Sequence, residues 1–175
     1  QGVSSAASDV YKRQKLNRAG ALRHFPEITA ARPDDAFGPA FCELDFLYRT
    51  VRQTKPRVVL EFGSGWSTYI LAEGLADNDR EQRTTGGILY SIDADEHWMG
   101  VTRSAMPEDL APYCILTHSP LDEIELHGIK GFRHVQIPQV EPDLIYLDGP
   151  AFTKDRRVAF DVLDIENRTS NPFQI

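Results

Sequence analysis

The stretch VVLEFGSGWST, residues 58–68, determines the predicted fold of this chain more than any other segment. It opens with a short, β-branched apolar run, which is typical of a strand buried on both faces of a sheet. Gly63 and Gly65 interrupt that run, and a helix is predicted to begin near Ser67. Because glycine lacks a Cβ atom, a ligand can approach the backbone closely at such a turn, and the free N–H groups of the helix N-terminus attract an anion or a carboxylate. The pattern therefore predicts a site for a nucleotide-like ligand, without distinguishing among such ligands.

Strands and helices alternate on both sides of this turn. Strands are predicted at residues 57–62, 88–92, 113–117 and 143–147. Helices are predicted at 41–51, 67–75, 95–105 and 156–165, with a polar loop at 77–87 and a hairpin or an insertion within 122–142. Strands separated by helices of this length imply right-handed crossovers and a parallel sheet. The predicted fold class is α/β: a Rossmann-like, doubly wound parallel sheet with strand order 3-2-1-4, an N-terminal helix, and a ligand site at the switch point beside the first strand.

The two ends of the chain fit this alternating pattern less well. Residues 1–14, QGVSSAASDVYKRQ, are predicted to be a disordered or non-native tail, because the run resembles sequencing-adaptor read-through in metagenomic gene predictions. Residues 15–56 are predicted to form a helical lead-in, and residues 57–175 the Rossmann-like domain. The chain stops where a fifth strand is expected, so we expect a fragment whose later strands are missing and whose sheet edge is open.

Composition and charge disfavour several broad classes of function. The 19 Lys and Arg against 26 Asp and Glu give a net charge of −7, which disfavours general binding to nucleic acid. The longest apolar runs fall far short of the ~20 residues that a membrane-spanning helix needs. Cys42 and Cys114 match no zinc or redox spacing, and no apolar leader opens the sequence, so a reduced, cytoplasmic setting is predicted.

Carboxylates lie at the ends of the two strands next to the glycine turn. Glu61 precedes Gly63 by two residues, where a dinucleotide would place its pyrophosphate; like charges there repel, whereas an ammonium group would be attracted. Asp93 ends the second strand, 28 residues past Gly65, and such an acid accepts hydrogen bonds from ribose hydroxyls. Nicotinamide-binding folds also use an acid there, at ~20 residues, so Asp93 does not separate the two ligands, and a strand-end cap is the structural alternative. Asp95 is predicted to cap the next helix.

These residues resemble the first motif of the class I S-adenosylmethionine-dependent methyltransferases, and the wording GSGWST is similar to a subgroup of small methyltransferases. The motif is an acidic residue followed by x-Gly-x-Gly after a hydrophobic strand, matched here by Glu61, Gly63 and Gly65. Trp66 stands where the family often has a third glycine. The resemblance implies that the two glycines border the methionine part of the cofactor and that Glu61 lies near its amino group. Trp66 is included among the residues expected to bind the cofactor. The resemblance also implies that Ser119, after the third strand, lies beside the adenine.

Asp148 ends the fourth predicted strand, in the segment LIYLDGP. This setting resembles the family's fourth motif, which implies that Asp148 reaches towards the transferring methyl group as the catalytic residue; a turn residue is the alternative. In a metal-dependent branch of the family, an aspartate here binds a divalent cation such as Mg²⁺. The further ligands expected after a fifth strand do not appear, so no metal ligand is assigned and a divalent metal stays open. The cluster KDRR, residues 154–157, could hold an anionic substrate or form a solvated helix face.

The resemblance implies S-adenosylmethionine-dependent methyl transfer to a small-molecule acceptor, with S-adenosylmethionine as cofactor and no nucleic-acid or membrane partner. Two alternatives stay open: an NAD(P)-binding oxidoreductase, which Glu61 disfavours, and a non-catalytic methyltransferase-like fragment. His118 is interpreted as a structural or surface residue, while His127 and His134 show no spacing that indicates a role.

Overall fold

The computed structural model describes residues 2–82, 86–149 and 158–166, which form an α/β domain. The helices are α1 (Gly2–Arg18), α2 (Phe25–Ala31), α3 (Phe41–Thr54), α4 (Trp66–Gln82), α5 (Glu96–Ser104) and α6 (Asp161–Glu166). The strands are β1 (Val58–Phe62), β2 (Ile88–Asp93), β3 (Cys114–His118), β4 (Leu121–Leu126), β5 (Ile129–His134), β6 (Leu144–Leu147) and β7 (Val158–Ala159). Within the described ranges, no helix is both long enough and apolar enough to cross a membrane.

The central sheet has the order β3-β2-β1-β6, and each of its neighbouring pairs is parallel, which confirms the predicted order 3-2-1-4. The register places Phe62 beside Ile92 on one side and Leu147 on the other, so the three strands end at the same edge. The chain winds outward from β1 through β2 to β3 and returns to β6 on the opposite side of β1. The switch point of this doubly wound sheet therefore lies beside β1, where such folds bind their ligands.

Successive residues of β1 face opposite sides of the sheet, because side chains of a strand alternate. Val59 packs with Leu71 and Leu75 of α4 in one apolar cluster, and Leu60 and Phe62 belong to a second cluster on the other face. Both faces of β1 are thus buried, as its unbroken apolar sequence predicts. Glu61 is two residues from Val59 and therefore faces the same side of the sheet, the side covered by α4.

Helix α3 confirms the predicted apolar face, whose buried members include Phe41, Leu44, Leu47, Tyr48 and Val51. Helix α4 is longer than predicted and continues to Gln82, into the first half of the segment 77–87 that the sequence indicates to be a polar loop. The polar residues there are held by α3: the Tyr48 hydroxyl donates to Asp77 at 2.8 Å, and the Asn78 side-chain amide donates to the Val51 carbonyl at 2.9 Å. These tertiary hydrogen bonds extend the helix where composition alone predicts its end.

Residues 121–134 form an antiparallel hairpin, β4–β5, which confirms one of the two predicted alternatives for this region. Strand β7 pairs in parallel with β5, so Val158 and Ala159 are not helical and α6 begins only at Asp161. The predicted helix at 156–165 was therefore wrong at residues 158–160; residues 156 and 157 lie outside the described ranges. Val158 and Ala159 form a strand because they pair with β5, and their local sequence does not indicate this pairing.

The N-terminal segment forms helix α1, where a disordered tail is predicted for residues 1–14. The helix packs on α3: Leu16 is buried in the main apolar cluster, and the Lys12 ammonium lies 2.7 Å from the carboxylate of Asp45. Asp45 is itself 1% exposed, and the cations beside it lower its pKa despite its burial. The sequence analysis considered this segment without α3, on which the helix packs; that residues 1–14 are a disordered or non-native tail stays a prediction.

Candidate functional site

A cleft of about 610 Å³ opens at the carboxyl ends of β1, β2 and β6, beside the switch point of the sheet. Its walls include most of the site residues that the sequence predicts: Gly63, Gly65, Trp66, Asp93 and Asp148. The cleft also has walls from α3, from β5 and from the segment after α2, which no sequence motif indicated. Glu61 and Ser119 are the two predicted residues that do not belong to its described lining.

The glycine turn has two glycines with different functions. Gly63 has φ +97°, and a Cβ atom there would lie 3.0 Å from the backbone nitrogen of Gly149. Glycine is therefore required at position 63, because the backbone is left-handed there and because the ends of β1 and β6 are in close contact. A Cβ atom at Gly65 would meet nothing within 4 Å, so this glycine leaves free space on the cleft side of the turn. The geometry provides the close backbone approach that a nucleotide-like cofactor requires.

Glu61 lies beneath the turn and is fully buried. The Thr68 hydroxyl donates to its Oε2 atom at 2.7 Å and accepts a hydrogen bond from the Gly65 N–H at 3.0 Å. Burial raises the pKa of Glu61 to about 7, and the charge of Asp148 acts in the same direction. Glu61 lies on the face of β1 that α4 covers, and it holds Gly65 through Thr68. Its predicted place near a cofactor's amino group stays a prediction.

Asp93 joins the two turns that border the cleft. Its Oδ2 atom accepts hydrogen bonds from the backbone N–H of Ser64 at 2.8 Å and from the Ser64 hydroxyl at 2.5 Å. Its Oδ1 atom accepts from the N–H of Asp95 at 2.8 Å. A carboxylate oxygen can accept two hydrogen bonds, so Oδ1 retains capacity towards the cleft. Asp95 caps α5 as predicted, accepting from the N–H groups of His97 and Trp98.

Ser119 occupies a structural position rather than the cleft wall. It is fully buried, its N–H donates to the Asp93 carbonyl at 2.9 Å, and its hydroxyl accepts from the Gln136 N–H at 2.8 Å. Its hydroxyl attaches the end of the β4–β5 hairpin to β3, and its predicted place beside an adenine stays a prediction.

Trp66 and Arg32 form one end of the cleft. The Trp66 ring stacks on Phe25 of α2 at a centroid distance of 4.9 Å, and therefore leaves the glycine turn open. The guanidinium carbon of Arg32 lies 5.4 Å from the centroid of the Trp66 ring. The Arg32 Nη1 atom is buried and has no hydrogen-bond partner among the described residues. The sequence analysis missed Arg32, because it follows a short helix in a segment without any motif.

Asp148 lies at the other end of the cleft, after β6. Its backbone N–H donates to the Phe62 carbonyl at 2.9 Å, which places it directly across from the glycine turn. Partial desolvation of its side chain and the nearby charge of Glu43 both raise the pKa of Asp148. Glu43 is in turn an acceptor for the Tyr146 hydroxyl. The carboxylate of Asp148 is therefore held in surroundings that favour a cation or a hydrogen-bond donor.

The described lining of the cleft is acidic. It contains the carboxylates of Glu43, Asp93, Asp95 and Asp148, and of Lys and Arg residues only Arg32. In the described part of the chain, no group of three or more His, Cys, Asp or Glu side chains is arranged to hold a metal ion. The basic cluster at 154–157 lies outside the described residues.

Comparisons with known proteins identify the fold. Neither a protein-family model nor a curated protein sequence matches the chain. Its structure is similar to the O-methyltransferase TomG from Streptomyces achromogenes, solved with S-adenosylmethionine, with a TM-score of 0.50 and 19% identity over 82% of this chain and 60% of that one. An O-methyltransferase from Bacillus cereus solved with S-adenosylhomocysteine gives 0.46 and 20% identity, over 77% of this chain and 59% of that one. The methyltransferase PaMTH1 from Podospora anserina, also bound to S-adenosylhomocysteine, gives a TM-score of 0.45 and 19% identity, over 74% of this chain and 49% of that one.

The similarity to TomG confirms the Rossmann-like fold predicted from the sequence. The chain spans between 49% and 60% of the length of these three solved proteins.

Proposed function

We propose that this chain is the cofactor-binding part of a methyltransferase that uses S-adenosylmethionine and transfers its methyl group to a small-molecule acceptor. The observation that carries the proposal is the acidic cleft beside the glycine turn, where Glu43, Asp93, Asp95 and Asp148 face a single guanidinium among the described lining residues. When bound, the cofactor would supply the reactive chemistry as an electrophilic methyl group on a positively charged sulfur. The chain's own task is to bind it and to hold the acceptor in line.

The charge of the cleft separates this proposal from an NAD(P)-binding oxidoreductase. A pyrophosphate would bring two negative charges next to the carboxylates of the cleft, which is unfavourable in a partly desolvated site. S-adenosylmethionine brings a sulfonium and an ammonium group and a single carboxylate. Its charge pattern therefore matches several acidic side chains and one arginine, which is the composition of the described lining.

The individual residues fit the parts of this cofactor. Gly65 leaves space for a ligand against the turn, and the spare acceptor capacity of Asp93 Oδ1 suits a ribose hydroxyl. The unpartnered, buried Nη1 atom of Arg32 suits the cofactor's carboxylate. Asp148, across from the turn, suits the place where the acceptor meets the methyl group. TomG and the Bacillus cereus enzyme were solved with this cofactor or its product, which supports the same ligand here.

The test of the proposal is calorimetric titration of the purified chain with S-adenosylhomocysteine and, separately, with NAD⁺. We expect saturable binding of S-adenosylhomocysteine and no heat from NAD⁺ beyond dilution. Tight binding of NAD⁺ without any response to S-adenosylhomocysteine would contradict the proposal. Methyl transfer from tritiated S-adenosylmethionine to a panel of small acceptors then separates an active enzyme from a methyltransferase-like fragment that only binds.

Replacing Arg32 with glutamine is expected to weaken S-adenosylhomocysteine binding by about tenfold or more, because a charge-assisted hydrogen bond contributes roughly 1.5–3 kcal/mol. The matched ligand control is 5′-methylthioadenosine, which keeps the adenine and ribose but lacks the amino-acid part. Its affinity should not change, since Arg32 would have no carboxylate to bind. An equal loss for both ligands, measured by calorimetry, would show that Arg32 acts on the cleft as a whole and not on the carboxylate.

The remaining assignments follow from the same cleft. Asp148 is proposed to contact the acceptor, supported by its place across from the turn and by its raised pKa. A divalent metal beside Asp148 stays open. We also propose a reducing, cytoplasmic setting and partners limited to small molecules, supported by the unpaired thiols of Cys42 and Cys114 and by the net charge of −7.

A further inference from the structure

A buried histidine–aspartate pair lies in the wall of the cleft, apart from every motif of the sequence. The Nδ1 atom of His134 lies 3.2 Å from Oδ1 of Asp161, and the same oxygen accepts the His134 backbone N–H at 2.7 Å. The side chains of His134 and Asp161 are 1% and 0% exposed. His134 nonetheless belongs to the cleft lining, together with Asp148 and Gly149.

The pair is built by the small second sheet. Gly131 allows β7 to approach β5, because a Cβ atom at this position would lie 2.2 Å from the Val158 carbonyl oxygen. The Phe160 N–H then donates to the Phe132 carbonyl at 2.9 Å, and α6 begins at the next residue, Asp161. The imidazole of His134 is held from its other side by the Phe62 ring, at a centroid distance of 5.2 Å. Its orientation is thus fixed by contacts with two elements, α6 and β1.

This arrangement determines which ring nitrogen can act. An ionised carboxylate only accepts hydrogen bonds, so its bond to Nδ1 requires the proton on that nitrogen. In the neutral imidazole, Nε2 is then the unprotonated nitrogen, on a residue that lines the cleft. A carboxylate that orients a histidine through Nδ1 while Nε2 takes a proton is the arrangement found in hydrolytic triads.

We propose that His134 is the catalytic base of the methyl transfer, that Asp161 positions it, and that the acceptor is a hydroxyl group. The inference rests on the proposed function. As the acceptor oxygen forms its bond to the methyl carbon, the carbon–sulfur bond breaks and its electron pair stays on sulfur. The acceptor's proton moves to Nε2 of His134, and the carboxylate of Asp161 stabilises the imidazolium that forms. Asp148, at the same end of the cleft, is left to orient the acceptor.

The variant His134→Asn tests this base with little disturbance of the fold. The asparagine amide can still donate to Asp161 from near the Nδ1 position, but nothing replaces Nε2. We expect kcat for a phenol, catechol or alcohol acceptor to fall at least about 100-fold, the usual contribution of a general base, with unchanged affinity for S-adenosylhomocysteine. The matched control is His127→Asn in the turn of the same hairpin, where the residue is exposed and has φ +53°, which asparagine tolerates. This control should keep wild-type kcat.

A second measurement does not depend on turnover. Two-bond ¹H–¹⁵N correlation spectra of the imidazole rings, assigned with His134→Asn, should show the Nδ1–H tautomer for His134 and its loss in Asp161→Asn. An Nε2–H tautomer in the wild-type chain, or wild-type kcat in His134→Asn, would overturn the inference and leave the proposed function intact. A wild-type chain that binds no S-adenosylhomocysteine, or methylates no hydroxyl compound of the panel, would overturn the inference; the former outcome also removes the proposed function.

Discussion

Replacing Asp93 with alanine is expected to weaken the binding of S-adenosylhomocysteine at least about tenfold, because the charge-assisted hydrogen bond that Asp93 Oδ1 can accept from a ribose hydroxyl is lost, at roughly 1.5–3 kcal/mol. The carboxylate also connects the turn after β1 to the turn after β2, through Ser64 and Asp95. Removing the carboxylate therefore removes the hydrogen-bond partner of the ribose and also the hydrogen bonds that connect the two turns. Calorimetric titration of the variant measures the loss directly.

Two controls separate these contributions. Ser64→Ala removes the hydroxyl that lies 2.5 Å from Asp93 Oδ2 but keeps the carboxylate, and it should weaken binding far less than Asp93→Ala. Asp122→Ala removes the same charge from an exposed position on β4, outside the described lining, and should leave binding unchanged. If Ser64→Ala weakens binding as much as Asp93→Ala does, Asp93 acts by ordering the turn and not by binding the ribose. Wild-type affinity in Asp93→Ala would remove Asp93 from the site.

The main sheet was predictable because its signals are local. Each central strand is a short apolar run, and Gly63 ends the first at a backbone conformation that few other residues adopt. Helix α3 repeats apolar residues every three or four positions. These patterns do not require knowledge of a partner element. The order of the strands then follows from the crossover rule, and with it the place of the cleft.

The cleft itself was only partly predictable, because two of its properties depend on contacts between distant segments. Arg32 reaches the cleft only because α2 stacks Phe25 on Trp66. His134 and Asp161 are 27 residues apart and meet through the pairing of β5 with β7. Neither contact leaves a pattern in the local sequence. Both were accordingly missing from the residues that motif reasoning selects.

The position of Glu61 could have been inferred from the sequence alone. Strand residues alternate between the two faces, so Glu61 shares its face with Val59 and points away from the second cluster that holds Leu60 and Phe62. That face is covered by α4, the helix that the glycine turn itself opens. The prediction instead followed the motif, which indicates that an acid is near the cofactor and leaves the direction of its side chain unspecified.

The free energy of unfolding of this chain should fall as pH rises, and Glu61→Gln should remove much of that fall. The pKa of Glu61 is raised by burial from 4.5 to about 7. Below pH 4.5 the Glu61 carboxyl is protonated in both the folded and unfolded states, so it does not change the free energy of unfolding. Between the two values the unfolded chain releases the proton while the folded chain retains it, so stability declines with rising pH. The decline ends near pH 7, at about 3 kcal/mol for a shift of this size.

Glutamine is the matched substitution, since its amide oxygen can still accept the hydrogen bond from Thr68 while the side chain stays neutral at every pH. Urea unfolding, followed by circular dichroism between pH 5 and pH 8, should therefore show Glu61→Gln more stable than the wild type at pH 8 by up to about 3 kcal/mol, with a smaller difference at pH 5. Glu73, whose pKa is raised by burial and which does not interact with Glu61, titrates in both proteins and cancels in the difference between the two curves. A difference that does not change with pH would mean that Glu61 carries its charge in the folded chain as readily as in the unfolded one. In that case the carboxylate beneath the glycine turn would be ionised at neutral pH, and its negative charge would add to the attraction that Asp93 and Asp148 exert on a cationic cofactor.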